Sequence, residues 1–107
     1  MREIANGIQA CGGKASGTAR LVLSARDFEK VKQGDVLIAE YTTPEFHHIL
    51  MKAAAVVTIA GGRLSHSAIV ARELGIPCIV GVKKAFETIK DGKTILVDGN
   101  EGKIFEL

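Results

Sequence analysis

The chain's chemistry is concentrated between Gly61 and Pro77, in the run Gly61-Gly62-Arg63-Leu64-Ser65-His66-Ser67-Ala68-Ile69-Val70-Ala71-Arg72-Glu73-Leu74-Gly75-Ile76-Pro77. It sets a histidine just after a glycine turn, at the start of a predicted helix. Free imidazole side chains, with pKa about 6.5, are mostly neutral at pH 7 and can attack phosphorus. The first turn of a helix offers unpaired N–H groups and the positive end of the macrodipole, which together stabilise an anion. A phosphoryl group on His66 would therefore sit among favourable dipoles. Gly62 could contribute to that phosphate site, and Ser65 and Ser67 could add hydroxyl donors. Arg63 could add a cation or be a solvated loop charge. Spacing alone leaves two readings of His66 open, a surface histidine and a nucleophile.

The elements that position this run follow from its neighbours. Ala55-Val56-Val57-Thr58-Ile59-Ala60 is apolar and β-branched and predicts a short buried strand. Gly61 and Gly62 allow a sharp turn. Ser65 suits the N-cap, and Ile69, Val70 and Leu74 predict an apolar helix face. Gly75 suits the helix end and Pro77 blocks its continuation.

Strands are also predicted over Thr18–Leu23, Val36–Ile38, Ile79–Val80 and Ile95–Val97, with Ile104 and Phe105 closing the sheet. A short helix is predicted over Arg26–Val31. Thr43 is expected to cap another helix, with Pro44 at its first position and Phe46, Ile49, Leu50 and Ala53 facing the core. Strands alternating with helices predict an α/β fold, a partly parallel sheet with packed helices.

From Gly61 to Gly81, with Ser65-His66-Ser67-Ala68-Ile69-Val70-Ala71-Arg72 at its centre, the sequence resembles the phosphohistidine signature of the phosphoenolpyruvate-utilising enzymes. These include phosphoenolpyruvate synthase, pyruvate phosphate dikinase, enzyme I of the sugar phosphotransferase system and rifampicin phosphotransferase. Gly34-Asp35-Val36-Leu37-Ile38 and Thr43-Pro44 are similar to upstream elements of the family, and Val97-Asp98-Gly99 with Gly102-Lys103-Ile104 to its closing strands. The resemblance implies a single phosphohistidine-type domain over residues 1–107, a swivelling β/β/α domain with His66 as the phosphorylated residue. It also implies that Thr42 and Thr43 lie near His66; Thr43 is taken as a phosphate donor group, with N-capping as its other reading. The chain departs from the common pattern at Leu64, where dikinases and synthases usually carry threonine. It departs again at Ser67, Ile59 and Cys11-Gly12-Gly13.

Composition bounds the partners. The 107 residues, 47% hydrophobic and 24% charged, suit one soluble domain with its own core. A net charge of +2 gives no basis for nucleic acid. No run reaches membrane-span length, no secretory signal opens the chain, and a cytoplasmic location is expected. Cys11 and Cys78 form no Cys-x-x-Cys pair, so two reduced cysteines are expected, with neither a disulfide framework nor a metal site.

Gly7, Gly12, Gly13 and Lys14 come near a P-loop but fail it, because Gly13 stands where lysine is required and Ala15 where serine or threonine is required. No cofactor is therefore expected on this chain. The adjacent His47 and His48 lack metal-ligand spacing and read as helix-surface residues.

The expected function is a stand-alone phosphoryl carrier. His66 would accept a phosphoryl group from an ATP- or phosphoenolpyruvate-using partner and pass it on. The expected partners are nucleotide-binding and phosphoenolpyruvate- or pyruvate-binding proteins or subunits. The chain would be one component of a phosphotransferase, incomplete on its own. The alternative is a non-catalytic regulatory or assembly module that keeps the fold.

Overall fold

Two patterns of apolar alternation divide the core of the computed structural model, which describes residues 1–107. Along β4 (Val36–Ala39), Leu37 joins one buried cluster while Val36 and Ile38 join another. β5 (Ala55–Thr58) and β6 (Cys78–Val80) repeat this. Val56, Cys78 and Val80 face the first cluster, and Ala55, Val57 and Ile79 face the second. Strands with both faces covered read as continuous apolar runs, as parallel strands do. β3 (Lys14–Val22), β4, β5 and β6 are indeed parallel neighbours.

β3 serves two partners. Its second half, Ala19–Val22, pairs parallel with β4, and its first half pairs antiparallel with β7 (Thr94–Asp98). β8 (Lys103–Glu106) and β1 (Arg2–Asn6) continue the antiparallel side, and β2 (Ile8–Cys11) pairs with β6 at the other end. The eight-strand order is β1-β8-β7-β3-β4-β5-β6-β2. The terminal strands β1 and β2 are consecutive in the chain, joined only by Gly7, so the sheet curls until its ends meet there. A Cβ on Gly7 would lie 2.6 Å from the Val80 carbonyl oxygen, so the junction needs glycine.

The second cluster, with Ile95, Val97 and Ile104, fills the inside of this curl. The first cluster lies beneath the helices, which gives the three layers of a β/β/α arrangement. The expected α/β class and partly parallel sheet are present. β1 and β2 were not expected, nor was the single turn α3 (Ala85–Thr88).

Helical details differ from expectation. Residues Ala25–Lys30 form a 3-10 helix, and the Pro44 segment is a 3-10 turn, Pro44–Phe46, running into one turn of α1 (His47–Leu50). Ile49, Leu50 and Ala53 are buried as expected, and Phe46 is half-buried against Phe28.

In α2 (His66–Leu74) the buried residues are Ser67, Ala68 and Ala71. Of the expected apolar face of Ile69, Val70 and Leu74, Ile69 alone is corrected. Val70 and Leu74 pack at the margin of the cluster, while Ile69 is 45% exposed. Small residues let the helix lie close on β2, β5 and β6, and that contact outweighs the pull of the larger side chains.

Candidate phosphoryl-acceptor site

β4 and β5 are parallel neighbours ending in register at Ala39 and Thr58, so the segments after them leave the same edge of the sheet. Two backbone bonds hold those segments together. Ile59 N–H donates to the Ala39 carbonyl (3.1 Å), and Ala60 N–H donates to the Glu40 carbonyl (2.8 Å). The carboxyl edge of parallel strands is the usual place for ligands in α/β sheets. Here it brings the Thr42 segment beside the start of α2.

The turn itself is set by Gly61, which has φ +101°. A Cβ there would stand 2.9 Å from Ser65 Cβ, so both the backbone angle and the space demand glycine. Gly62 has no positive φ and nothing within 4 Å of a Cβ, so its role is not steric. Ser65 occupies the N-cap position without capping. Its hydroxyl donates to the Gly62 carbonyl (2.7 Å) and fastens the turn from within. The first helical hydrogen bond runs from Ile69 N–H to the Ser65 carbonyl (3.0 Å). The amides of His66, Ser67 and Ala68 precede it and have no helical acceptor.

His66 is half-buried at the first position of α2. Its Nδ1 lies 2.8 Å from Thr42 Oγ1, and its Nε2 makes no hydrogen bond within the chain. Of the two threonines, it is Thr42 that meets the imidazole. Thr43, the expected donor, has its Oγ1 buried without a partner. Sequence could have favoured Thr42: Pro44 fixes Thr43 as the cap position and leaves Thr42 as the last loop residue. Ser67 is 2% exposed, its hydroxyl 3.4 Å from that of Ser65, and so faces inward.

The two arginines act on the backbone. Arg63 Nε donates to the Gln9 carbonyl (3.0 Å). Arg72, which sequence reasoning left without a role, donates to the Ala10 carbonyl (2.9 Å) and to the Arg63 carbonyl. Together they lash the glycine turn to edge strand β2. Their signal in sequence was only that both flank the histidine. Leu64 (85% exposed) and Ile69 leave an apolar rim beside His66. His47 and His48 are exposed on α1, and His48 packs edge-on against Phe28. The amide of Gly13, in the near-P-loop segment, donates to the Asn100 side chain (2.9 Å).

The sequence model of the family described as "PEP-utilising enzyme, mobile domain" matches residues 31–102. The chain belongs to the mobile-domain family of the phosphoenolpyruvate-utilising enzymes. This mobile domain is 43% identical over 103 residues to a phosphoenolpyruvate synthase of Pyrococcus furiosus, a match covering 96% of the chain and 13% of that protein. It is 44% identical over 98 residues to an uncharacterized phosphotransferase of Bacillus subtilis, covering 92% of the chain and 12% of that protein. The chain thus spans about an eighth of the length of these relatives.

Among solved structures, an Enzyme I protein superposes with a TM-score of 0.63 at 33% identity, covering 74% of this chain and 33% of that one. A Thermococcus kodakaraensis aconitase X superposes at 0.69 with 18% identity, covering 96% and 97% of the two chains, a likeness of fold alone. No helix here is long and apolar enough to cross a membrane.

Proposed function

We propose that this mobile domain carries a phosphoryl group on Nε2 of His66 and hands it between partner sites. One observation carries the reading: Nδ1 is engaged by Thr42 at 2.8 Å while Nε2 has no partner, at the start of a helix whose first amides are free. In the reactive tautomer Nδ1–H donates to Thr42 Oγ1, which leaves the Nε2 lone pair for attack. The N–P bond forms as the donor's P–O bond breaks, and the electron pair leaves on the donor oxygen. In the return step an acceptor oxygen attacks the same phosphorus and Nε2 departs. Thr42 holds the ring throughout, so no tautomer change is required.

The amides ahead of Ile69 are the nearest fixed dipoles for the phosphoryl oxygens. Gly62 and Ser65 shape that cradle. Ser67 and Thr43 would join it only by turning their hydroxyls outward. The donors consistent with the family are ATP and phosphoenolpyruvate, bound by other domains or subunits. The chain supplies the acceptor half of the reaction. The exposed Leu64 and Ile69 beside His66 suit repeated docking against another protein surface.

The test is transfer of label from ATP labelled at its β or γ phosphorus, or from labelled phosphoenolpyruvate, when purified partner proteins are supplied. The reading predicts an acid-labile, base-stable phosphoprotein with the label on the His66 peptide. Label elsewhere, or none with any partner, would contradict it.

A further inference from the structure

Cys11 and Cys78 are distant in sequence and take no part in the carrier reading. The fold sets them opposite one another. β2 and β6 run antiparallel, and Cys11 is the residue facing Cys78 across the pair. A β-bulge between Gln9 and Cys11 produces this register, since without it Ala10 would stand opposite Cys78. The same bulge lets Cys11 pack on the buried cluster that contains Cys78, so both side chains lie on the face beneath α2. Directly opposed residues of antiparallel strands have Cα atoms roughly 4.5–5.5 Å apart. Disulfides span Cα separations of about 4.4–6.8 Å, so the register sets this pair in the range that a disulfide bridges.

Both cysteines are free thiols, Cys11 half-buried and Cys78 buried. We propose that Cys11 and Cys78 form a reversible cross-strand disulfide when the chain meets hydrogen peroxide. The Cys11 thiolate attacks a peroxide oxygen; the O–O bond breaks and one water leaves after protonation. Cys11 is then a sulfenic acid. The Cys78 sulfur attacks the Cys11 sulfur, the S–O bond breaks, and the Cys78 proton leaves with the hydroxyl as a second water. The two sulfurs lose two electrons and one peroxide becomes two waters. A dithiol reductant reverses the bond by exchange at the reachable Cys11 sulfur.

The order of events follows from access and ionisation. Burial first, and the nearby Cys11 thiol second, push the Cys78 thiol up to about 12, against the opposing effects of the Ser67 hydroxyl and Arg72. Cys78 is therefore a poor first nucleophile and a slow resolving one. The bond would tie β2, whose Gln9 and Ala10 carbonyls hold Arg63 and Arg72, to the strand under the helix of His66. The proposal does not depend on what His66 carries.

The experiment treats the chain with a small excess of hydrogen peroxide, then denatures it in alkylating reagent and measures intact mass and peptides. The expected product is a monomer lighter by two hydrogens, with no alkyl groups and a Cys11–Cys78 linked peptide. Dithiothreitol should restore two alkylatable thiols. In Cys11→Ser, Cys78 should stay alkylatable at peroxide levels that oxidise the parent chain. A sulfinic acid on Cys11 with a free Cys78, or a disulfide between chains, would overturn the proposal. So would equal loss of the Cys78 thiol in folded Cys11→Ser. Should that variant fail to fold, the linked-peptide map of the parent chain decides alone.

Discussion

The hydroxyl of Thr42 and Nδ1 of His66 stand 2.8 Å apart, joining the segment that follows β4 to the helix that follows β5. That contact orients the imidazole and selects the nitrogen left free. Thr42→Val keeps the shape and removes the partner. A net hydrogen bond is about 0.5–1.5 kcal/mol, and loss of tautomer control adds to it. Phosphorylation of His66 should slow by about tenfold or more, with the fold intact. Thr42→Ser should retain most of the rate. Single-turnover labelling of the three proteins measures this, and an unchanged rate in Thr42→Val would remove the orienting role.

Arg72 binds two backbone carbonyls with one planar fork. Arg72→Ala should lower stability by about 1–2 kcal/mol, a discounted figure because the side chain is largely exposed. Arg72→Lys should recover little of it, because an ammonium cannot reach both carbonyls in the same geometry. Denaturant unfolding checks both variants; full rescue by lysine would show that charge alone matters.

The paired glycines should separate cleanly. Gly61→Ala meets a positive φ and Ser65 Cβ, and should cost about 1–3 kcal/mol. Gly62→Ala meets open space and should stay within about 0.5 kcal/mol of the parent. Equal effects in thermal unfolding would contradict the geometry of the turn.

Cys78 gives a pH dependence with a definite sign. Its thiol is raised from 9.0 to about 12, so the folded state holds the proton more tightly than the unfolded chain. The stabilisation is complete below about pH 9 and is lost as pH rises toward 12. In reducing buffer, Cys78→Ala should therefore lose less stability than the parent between pH 8 and pH 11. Parallel stability curves for the two proteins would rule out a Cys78 contribution.

Much of this arrangement was legible in the sequence. The Val56 strand, the glycine turn, the Ser65 position and the left-handed Gly75 follow from local preferences, and each is present in the fold. Less legible were features that depend on long-range register. β1 and β2 are short edge strands, β1 carrying Arg2 and Glu3 and β2 only four residues long, with no extended apolar run to mark them. Pro44 marks Thr43 as the cap position, but that Thr42 meets His66 depends on where parallel β4 ends beside β5. Ile69 reads as a core residue from its spacing, but the close approach of Ala68 and Ala71 to the sheet turns it outward. The facing of Cys11 and Cys78 depends on a bulge, which leaves no mark in local composition.

The carrier claim is tested most directly by comparing the parent chain with His66→Ala, both shown to be folded. Each is supplied with partner proteins and labelled ATP or phosphoenolpyruvate, and the phosphorylated nitrogen is read by NMR. The account predicts acid-labile phosphate on Nε2 of His66 in the parent and none in the variant. Equal label in His66→Ala, or phosphate on Nδ1, would contradict it.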